Sequence, residues 1–238
     1  MHKNIKLISA LLLFPAPLLA WESNDGQHST SASVALSSDY VWRGYSQTDN
    51  EPAISGSFDY AHQSGLYAGA WASNVDFEIN EDQAHIEMDA YIGFANQIGN
   101  SNIGYDVGVL RYIYPGTDGG NWNEVYGSLS YQFFSLFVGH SGDVYGSSEK
   151  GTYYNLGFSY PLPAEFTLNA NLGYYDYDRE VFGSGSPDSA KDYRIGLSRA
   201  FAGFELDLSY TDTDSDGEDL YGSDIADGRF VFSISRSM

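Results

Sequence analysis

From Thr30 to the C-terminus, apolar and polar side chains alternate with a period of two, and no stretch carries a helical stripe of convincing length. This is the mark of strands with two unlike faces, because successive side chains of a strand point to opposite sides. Residues 84–94 show it best. Ala84, Ile86, Met88, Ala90, Ile92 and Phe94 share one face, and His85, Glu87, Asp89 and Tyr91 share the other. Residues 166–174 and 204–210 repeat the pattern, as do 32–42, where Ala32, Val34, Leu36, Tyr40 and Trp42 oppose Ser33, Ser37 and Asp39.

The alternation predicts about twelve strands, an even number as in bacterial outer-membrane barrels. They fall at 31–42, 52–61, 66–75, 83–95, 102–114, 123–133, 136–142, 152–161, 165–175, 191–200, 204–212 and 227–238. Residues 136–142 alternate least cleanly. Near Val109-Leu110-Arg111 the pattern slips, and a bulge there would return Arg111 to the polar side. The connections alternate in length: 43–51, 76–82, 115–122, 143–151, 176–190 and 213–226 are long, and those between are short. Short turns on one rim and long polar loops on the other predict a single antiparallel transmembrane β-barrel, with periplasmic turns and acidic extracellular loops. A soluble sandwich has no reason to sort loop length by parity.

Lys3 and Lys6 precede an apolar run that ends at Ala20, the layout of a secretory signal over residues 1–20. Residues 21–30 then read as a periplasmic segment and 31–238 as the barrel. Eleven Lys and Arg stand against 32 Asp and Glu, so loss of the two signal lysines leaves a mature charge of −23. A pI near 4.2 excludes a nucleic-acid partner, which needs a basic face. The absence of cysteine excludes disulfides, thiolate metal sites and a cysteine nucleophile. A mean hydropathy of −0.31 excludes a bundle of apolar helices but not a barrel, in which alternate residues face lipid.

Aromatic residues gather near predicted strand ends: Tyr40, Trp42, Tyr60, Tyr67, Trp71, Tyr112, Tyr114, Trp122, Tyr131, Phe133, Tyr160, Tyr174, Tyr175 and Tyr210. They are the expected girdles at the two lipid interfaces. The closing run 230–238 alternates to the last residue, as a final strand read by the outer-membrane assembly machinery would.

The run Ser37-Ser38-Asp39-Tyr40-Val41-Trp42-Arg43-Gly44-Tyr45-Ser46 resembles the TorF family, a proteobacterial family of porin-like proteins. Further matching blocks are 67–77, Tyr114-Pro115-Gly116, Asn123-Glu124-Val125-Tyr126 and 227–235, so the likeness spans nearly the whole mature chain. The terminal Met238 stands where Phe is more usual. The resemblance implies a Gram-negative outer-membrane barrel and a diffusion channel, and it supplies no catalytic residues.

Strands about 4.8 Å apart and tilted by about 40° make a twelve-strand wall roughly 24 Å across, which side chains narrow to an opening of at most roughly 12 Å. The predicted pore lining is Asp39, Asp59, Glu87, Asp89, Asp106, Glu124, Glu205 and Asp207, with Arg194 and Arg229 as cations. Such carboxylates favour cationic or zwitterionic small solutes. The alternatives are a sealed barrel whose interior groups pair with one another, and a lipid-modifying barrel enzyme. Arg43 reads as a salt-bridge partner or a solute clamp. No long loop reads as folding inward.

His140 and Ser141 are adjacent and so face opposite ways, which denies them a shared proton. His85, Glu87 and Asp89 have no nucleophile beside them. The run 212–217 matches the opening of a calcium loop, D-x-D-x-D-G, but Ser223 stands where the closing Glu belongs. It reads as a solvated acidic loop between strands. Neither a metal nor a cofactor is expected. The expected partners are outer-membrane lipid and small solutes.

Overall fold

The computed structural model describes residues 21–178 and 181–238, so the predicted signal segment 1–20 lies outside the described residues. Twelve strands form one antiparallel sheet: β1 (His28–Ser37), β2 (Ala53–His62), β3 (Leu66–Ile79), β4 (Asp82–Gln97), β5 (Ile103–Ile113), β6 (Trp122–Tyr131), β7 (Phe134–Ser141), β8 (Gly151–Pro161), β9 (Phe166–Tyr177), β10 (Ser189–Phe201), β11 (Phe204–Thr213) and β12 (Arg229–Ser237). Each pairs with its neighbour in sequence, and β12 returns to β1, with Ser233 opposite Ser37 and Ser237 opposite Ser33. The sheet is therefore a closed barrel, and no strand of it is left as an edge. Trp21–Glu22 adds a two-residue pairing beside β1.

The two faces of this wall are inverted relative to a water-soluble barrel. Phe58, Ile92, Leu172, Ile195, Leu208 and Phe232 lie exposed on the outside. On the same strands Glu87, Asp89, Asn169, Ser198, Ser209 and Ser235 are buried inside. On β6 the adjacent residues show the contrast: Val125 is 61 % exposed and Glu124 1 %.

Glycines on the inner face let tyrosines lie flat against the wall. Gly69 on β3 is paired with Tyr91 on β4, and a Cβ at Gly69 would stand 2.6 Å from the Tyr91 ring. One step along, Tyr67 lies over Gly93 in the reverse sense.

Five expectations are corrected. Residues 38–42 leave the wall after Ser37 instead of extending β1. The loop 76–82 shrinks to the turn Asn80-Glu81, both with positive φ, because β3 and β4 run on past the rim. No bulge disturbs β5: Leu110 points inward and Arg111 outward, where its guanidinium donates to Asn123 Oδ1 at 3.2 Å. The irregularity lies instead between Asn74 and Phe77 of β3, opposite His85, so that His85 is exposed while Glu87 is buried. Finally, the loop 214–228 contains two short helices, α1 (Ser215–Tyr221) and α2 (Ser223–Ala226). The calcium-like run supplies the cap of α1, in which the Asp214 carboxylate accepts the Gly217 N–H at 3.1 Å.

The girdle reading holds only in part. Tyr131, Phe133, Tyr160 and Tyr174 are exposed near the rims, but Trp71, Tyr112, Tyr114, Trp122 and Tyr175 are buried inside the barrel. Their parity puts them on the inner face with Glu124, Asp106 and Asn171, and parity outweighs residue type.

Candidate functional site

Beyond β1, residues 38–52 fold into the mouth on the long-loop rim, contrary to the expectation that no loop does so. Val41–Trp42 and Tyr45–Ser46 form a miniature antiparallel ladder. Arg43 (φ 46°) and Gly44 (φ 93°) make its two-residue turn, the positive-φ pair that the tightest hairpins require. A Cβ at Gly44 would also stand 2.7 Å from the Asp192 Cβ, so the tip is seated against β10. The base is fastened by Asp39. Its Oδ1 accepts from Ser46 Oγ at 2.6 Å and Thr48 Oγ1 at 3.0 Å, and its Oδ2 accepts from Arg229 Nη1 at 3.2 Å. The Tyr40 hydroxyl donates to Glu87 Oε1 at 2.9 Å.

At the tip, Arg43 Nη2 donates to both oxygens of Glu124, at 2.8 and 2.7 Å. The two side chains are only 6 % and 1 % exposed. The guanidinium carbon lies 4.2 Å from the ring centres of Trp42 and Tyr153 and 4.9 Å from that of Tyr175. Burial on its own would lower the Arg43 pKa, but the Glu124 carboxylate and the surrounding tyrosines together outweigh it and raise the value, so the guanidinium stays charged. Removing one partner of such a buried pair costs about 3–5 kcal/mol, because the other charge is stranded.

Rings close around this pair. Tyr112 stacks on Trp122, Tyr175 on Tyr177, and Tyr45 on Tyr221 of α1, each with centres 4.1 Å apart. The hydroxyls of Tyr145, Tyr177 and Tyr221 are linked by 2.8 Å hydrogen bonds. Burial pushes the Tyr45 hydroxyl up to about 12, so it stays neutral and able to donate.

Beside the hairpin lies a cavity of about 330 Å³. Asp89, Asp192 and Asp207 line it with Arg43, Arg194 and Trp71. Arg194 is not free: its Nη2 donates to Asp207 Oδ1 at 2.5 Å. Asp192 accepts the Tyr153 hydroxyl at 3.2 and 3.1 Å. Yet Asp89 Oδ1, Arg194 Nη1, Arg43 Nη1 and Trp71 Nε1 are buried with no hydrogen-bond partner among the described residues. A lining with unmet donors and an unmet acceptor suits water or a small polar solute, not lipid.

Toward the short-turn rim the inner wall is held by smaller networks. The Tyr67 hydroxyl donates to Asp106 at 2.7 Å and meets the Tyr126 hydroxyl. Tyr91 donates to Asp59, which also accepts from Ser57 Oγ at 2.8 Å. Glu205 is half-buried on the inner face of β11, two residues from Asp207.

The residues singled out from the sequence thus fall into groups. Asp39, Arg229 and Glu87 fasten the hairpin, Glu124 holds Arg43, and Asp89, Asp207 and Arg194 line the cavity. Asp59 and Asp106 anchor tyrosines farther along the wall. Asp192, Tyr153 and Tyr175 were missed as site residues, although Asp192 shares its parity with Arg194. His140 and Ser141 face opposite ways as expected, the first exposed and the second buried.

A family model described as "Bacterial protein of unknown function (Gcw_chp)" matches residues 22–238. The chain belongs to this family. No curated protein matches the sequence. Among solved structures, the Gcw_chp chain is similar to the KdgM porin, with a TM-score of 0.56 and 9 % identity over 87 % of this chain and 99 % of that one. It is similar to the NanC porin, with a TM-score of 0.54 and 11 % identity over 87 % and 97 %. It is also similar to an outer-membrane channel from Pseudomonas putida F1, with a TM-score of 0.52 and 10 % identity over 95 % and 100 %. At such identities the likeness is one of fold.

Proposed function

We propose that this Gcw_chp protein is a narrow outer-membrane channel for small cationic or zwitterionic solutes. One observation carries the reading: the wall exposes leucine, isoleucine and phenylalanine outward and keeps carboxylates and hydroxyls around an interior cavity. Soluble monomers rarely expose an apolar belt of this extent, whereas lipid covers one without penalty. The fold shared with porins and the TorF-like blocks support the same reading. So does the short-turn rim, which would face the periplasm with the segment before β1, once a signal over residues 1–20 had directed export. The C-terminal strand β12, which closes the barrel, would be the segment offered to the assembly machinery.

The charge preference follows from pairing. Arg43, Arg194 and Arg229 are each matched to a carboxylate, while Glu87 and Asp89 have no cationic partner among the described contacts. The excess is negative, and a negative lumen admits cations. The KdgM porin has been seen in complex with an oligogalacturonate, a polyanion. This lumen is of the wrong sign for such a solute.

A second reading, a sealed barrel, is favoured by the hairpin wedged in the mouth. Planar-bilayer recording separates the two. The channel reading predicts discrete steps and a cation-selective reversal potential in a salt gradient, which Asp89→Asn moves toward zero. Anion selectivity would overturn the solute class. An absence of steps across many insertions would leave the sealed barrel standing.

A further inference from the structure

The Arg43 site divides into wall and occupant. Glu124 on β6, Tyr153 on β8 and Tyr175 on β9 belong to strands of the barrel wall and not to the hairpin. Tyr153 is tied to Asp192, and Glu124 lies over Gly139 of β7, where a Cβ would stand 2.6 Å from its Oε1. A carboxylate set among aromatic faces is the chemistry that binds organic cations: the ion pairs with the oxygens and its flat or alkylated surfaces rest on the rings. Here that place is filled by the protein's own guanidinium, delivered from a two-residue turn.

The seat is imperfect. A guanidinium has five donors, and Arg43 Nη1 is buried without a hydrogen-bond partner among the described residues. That unmet donor weakens the hold of the site on its internal occupant and leaves room for a competitor that satisfies the site as well. Arg43 also lines the cavity, so the site borders the space a solute would traverse.

We propose that Glu124, Tyr153 and Tyr175 form a receptor for guanidinium- or ammonium-type organic cations, and that Arg43 is an internal occupant which such a cation displaces as the hairpin yields. The inference rests on the channel reading for its transport role, while the receptor itself does not need conduction.

The test uses the refolded full-length mature chain with methylguanidinium as probe. Tryptophan fluorescence reports binding through Trp42 and Trp122, which flank the site. Closed barrels are verified by heat-dependent gel mobility, and Arg43→Gln stands in if Arg43→Ala does not fold. The expected result is saturable quenching of R43A by millimolar methylguanidinium, several-fold weaker in the native chain, and lost in R43A/E124Q. In bilayers R43A should conduct several-fold more than the native chain, and methylguanidinium should reduce that current. Equal titration of the native chain and R43A, or quenching indifferent to E124Q, overturns the proposal. Saturable binding to R43A with no conductance in any variant keeps the receptor and refutes the channel.

Discussion

Gly69→Val tests whether the inner wall is built on the glycine–tyrosine fit. A Cβ at Gly69 would stand 2.6 Å from the Cε2, Cζ and hydroxyl of Tyr91, nearly 1 Å inside ordinary contact. The ring must lift, and with it goes the hydrogen bond that Tyr91 donates to Asp59. Overpacking of this kind costs about 1–3 kcal/mol, and a buried acceptor left short of a partner about 1–3 kcal/mol. Replacing a strand glycine returns about 0.5–1 kcal/mol. The net loss is about 1–5 kcal/mol, a shift of about 0.5–2.5 M in a urea midpoint at a typical slope of about 2 kcal/mol per M. In a Tyr91→Ala background the clash has nothing to strike, so Gly69→Val should be nearly neutral. The coupling in the double-mutant cycle should then equal that net loss, about 1–5 kcal/mol. Equilibrium unfolding in lipid vesicles, followed by tryptophan fluorescence, measures all four corners. Equal losses from Gly69→Val in both backgrounds would refute the argument.

Other outcomes follow from the same geometry. Leu172→Arg puts a charge in the apolar belt and should cost about 2–4 kcal/mol of vesicle-embedded stability near the bilayer midplane. Asn171→Arg, which turns toward the cavity, should cost clearly less by the same unfolding assay. Asp214→Ala removes the α1 cap and its pairing with Lys191, at a cost of about 1 kcal/mol to that loop, and limited proteolysis should cut 215–226 sooner. Burial works to raise the Asp214 pKa, but hydrogen bonds from Lys191 and Gly217 prevail and lower it below 3.8. Its contribution is therefore complete above that value and lost as pH falls through the depressed one, so protease protection of the loop should hold at neutral pH and fade only in strong acid.

The strands were legible because a closed wall with an apolar outer face and a polar inner face enforces period two along its whole length. All twelve appear, though β1 runs from His28 to Ser37 and β3 and β4 extend through the expected loop, and even Phe134–Ser141 is regular, with Leu136 out and Phe137 in. The inward hairpin was not legible in that pattern. Tyr40 and Trp42 keep the parity of Val34 and Leu36, so the alternation continues across the point at which the chain leaves the wall. The signal that could have revealed it is Arg43-Gly44, a pair fit for a tight turn. Arg111 and the inner tyrosines taught the same lesson from opposite sides. Residue type pulled Arg111 inward and Tyr112 outward, whereas the unbroken register of β5 places each the other way. Arginine tolerates an outer position near a rim because its stem packs on apolar surface while its head reaches a polar partner. Tyrosine tolerates the interior because its hydroxyl finds one there.

The proposed channel requires apolar side chains to face lipid and polar ones to face the lumen. The chain has no cysteine, so single-cysteine nitroxide labels can be walked along 168–172 of β9 without background. In vesicles, oxygen accessibility should peak at Leu168, Ala170 and Leu172, and a water-soluble nickel chelate should reach Asn169 and Asn171 instead. The opposite phase, or no period of two, would contradict it.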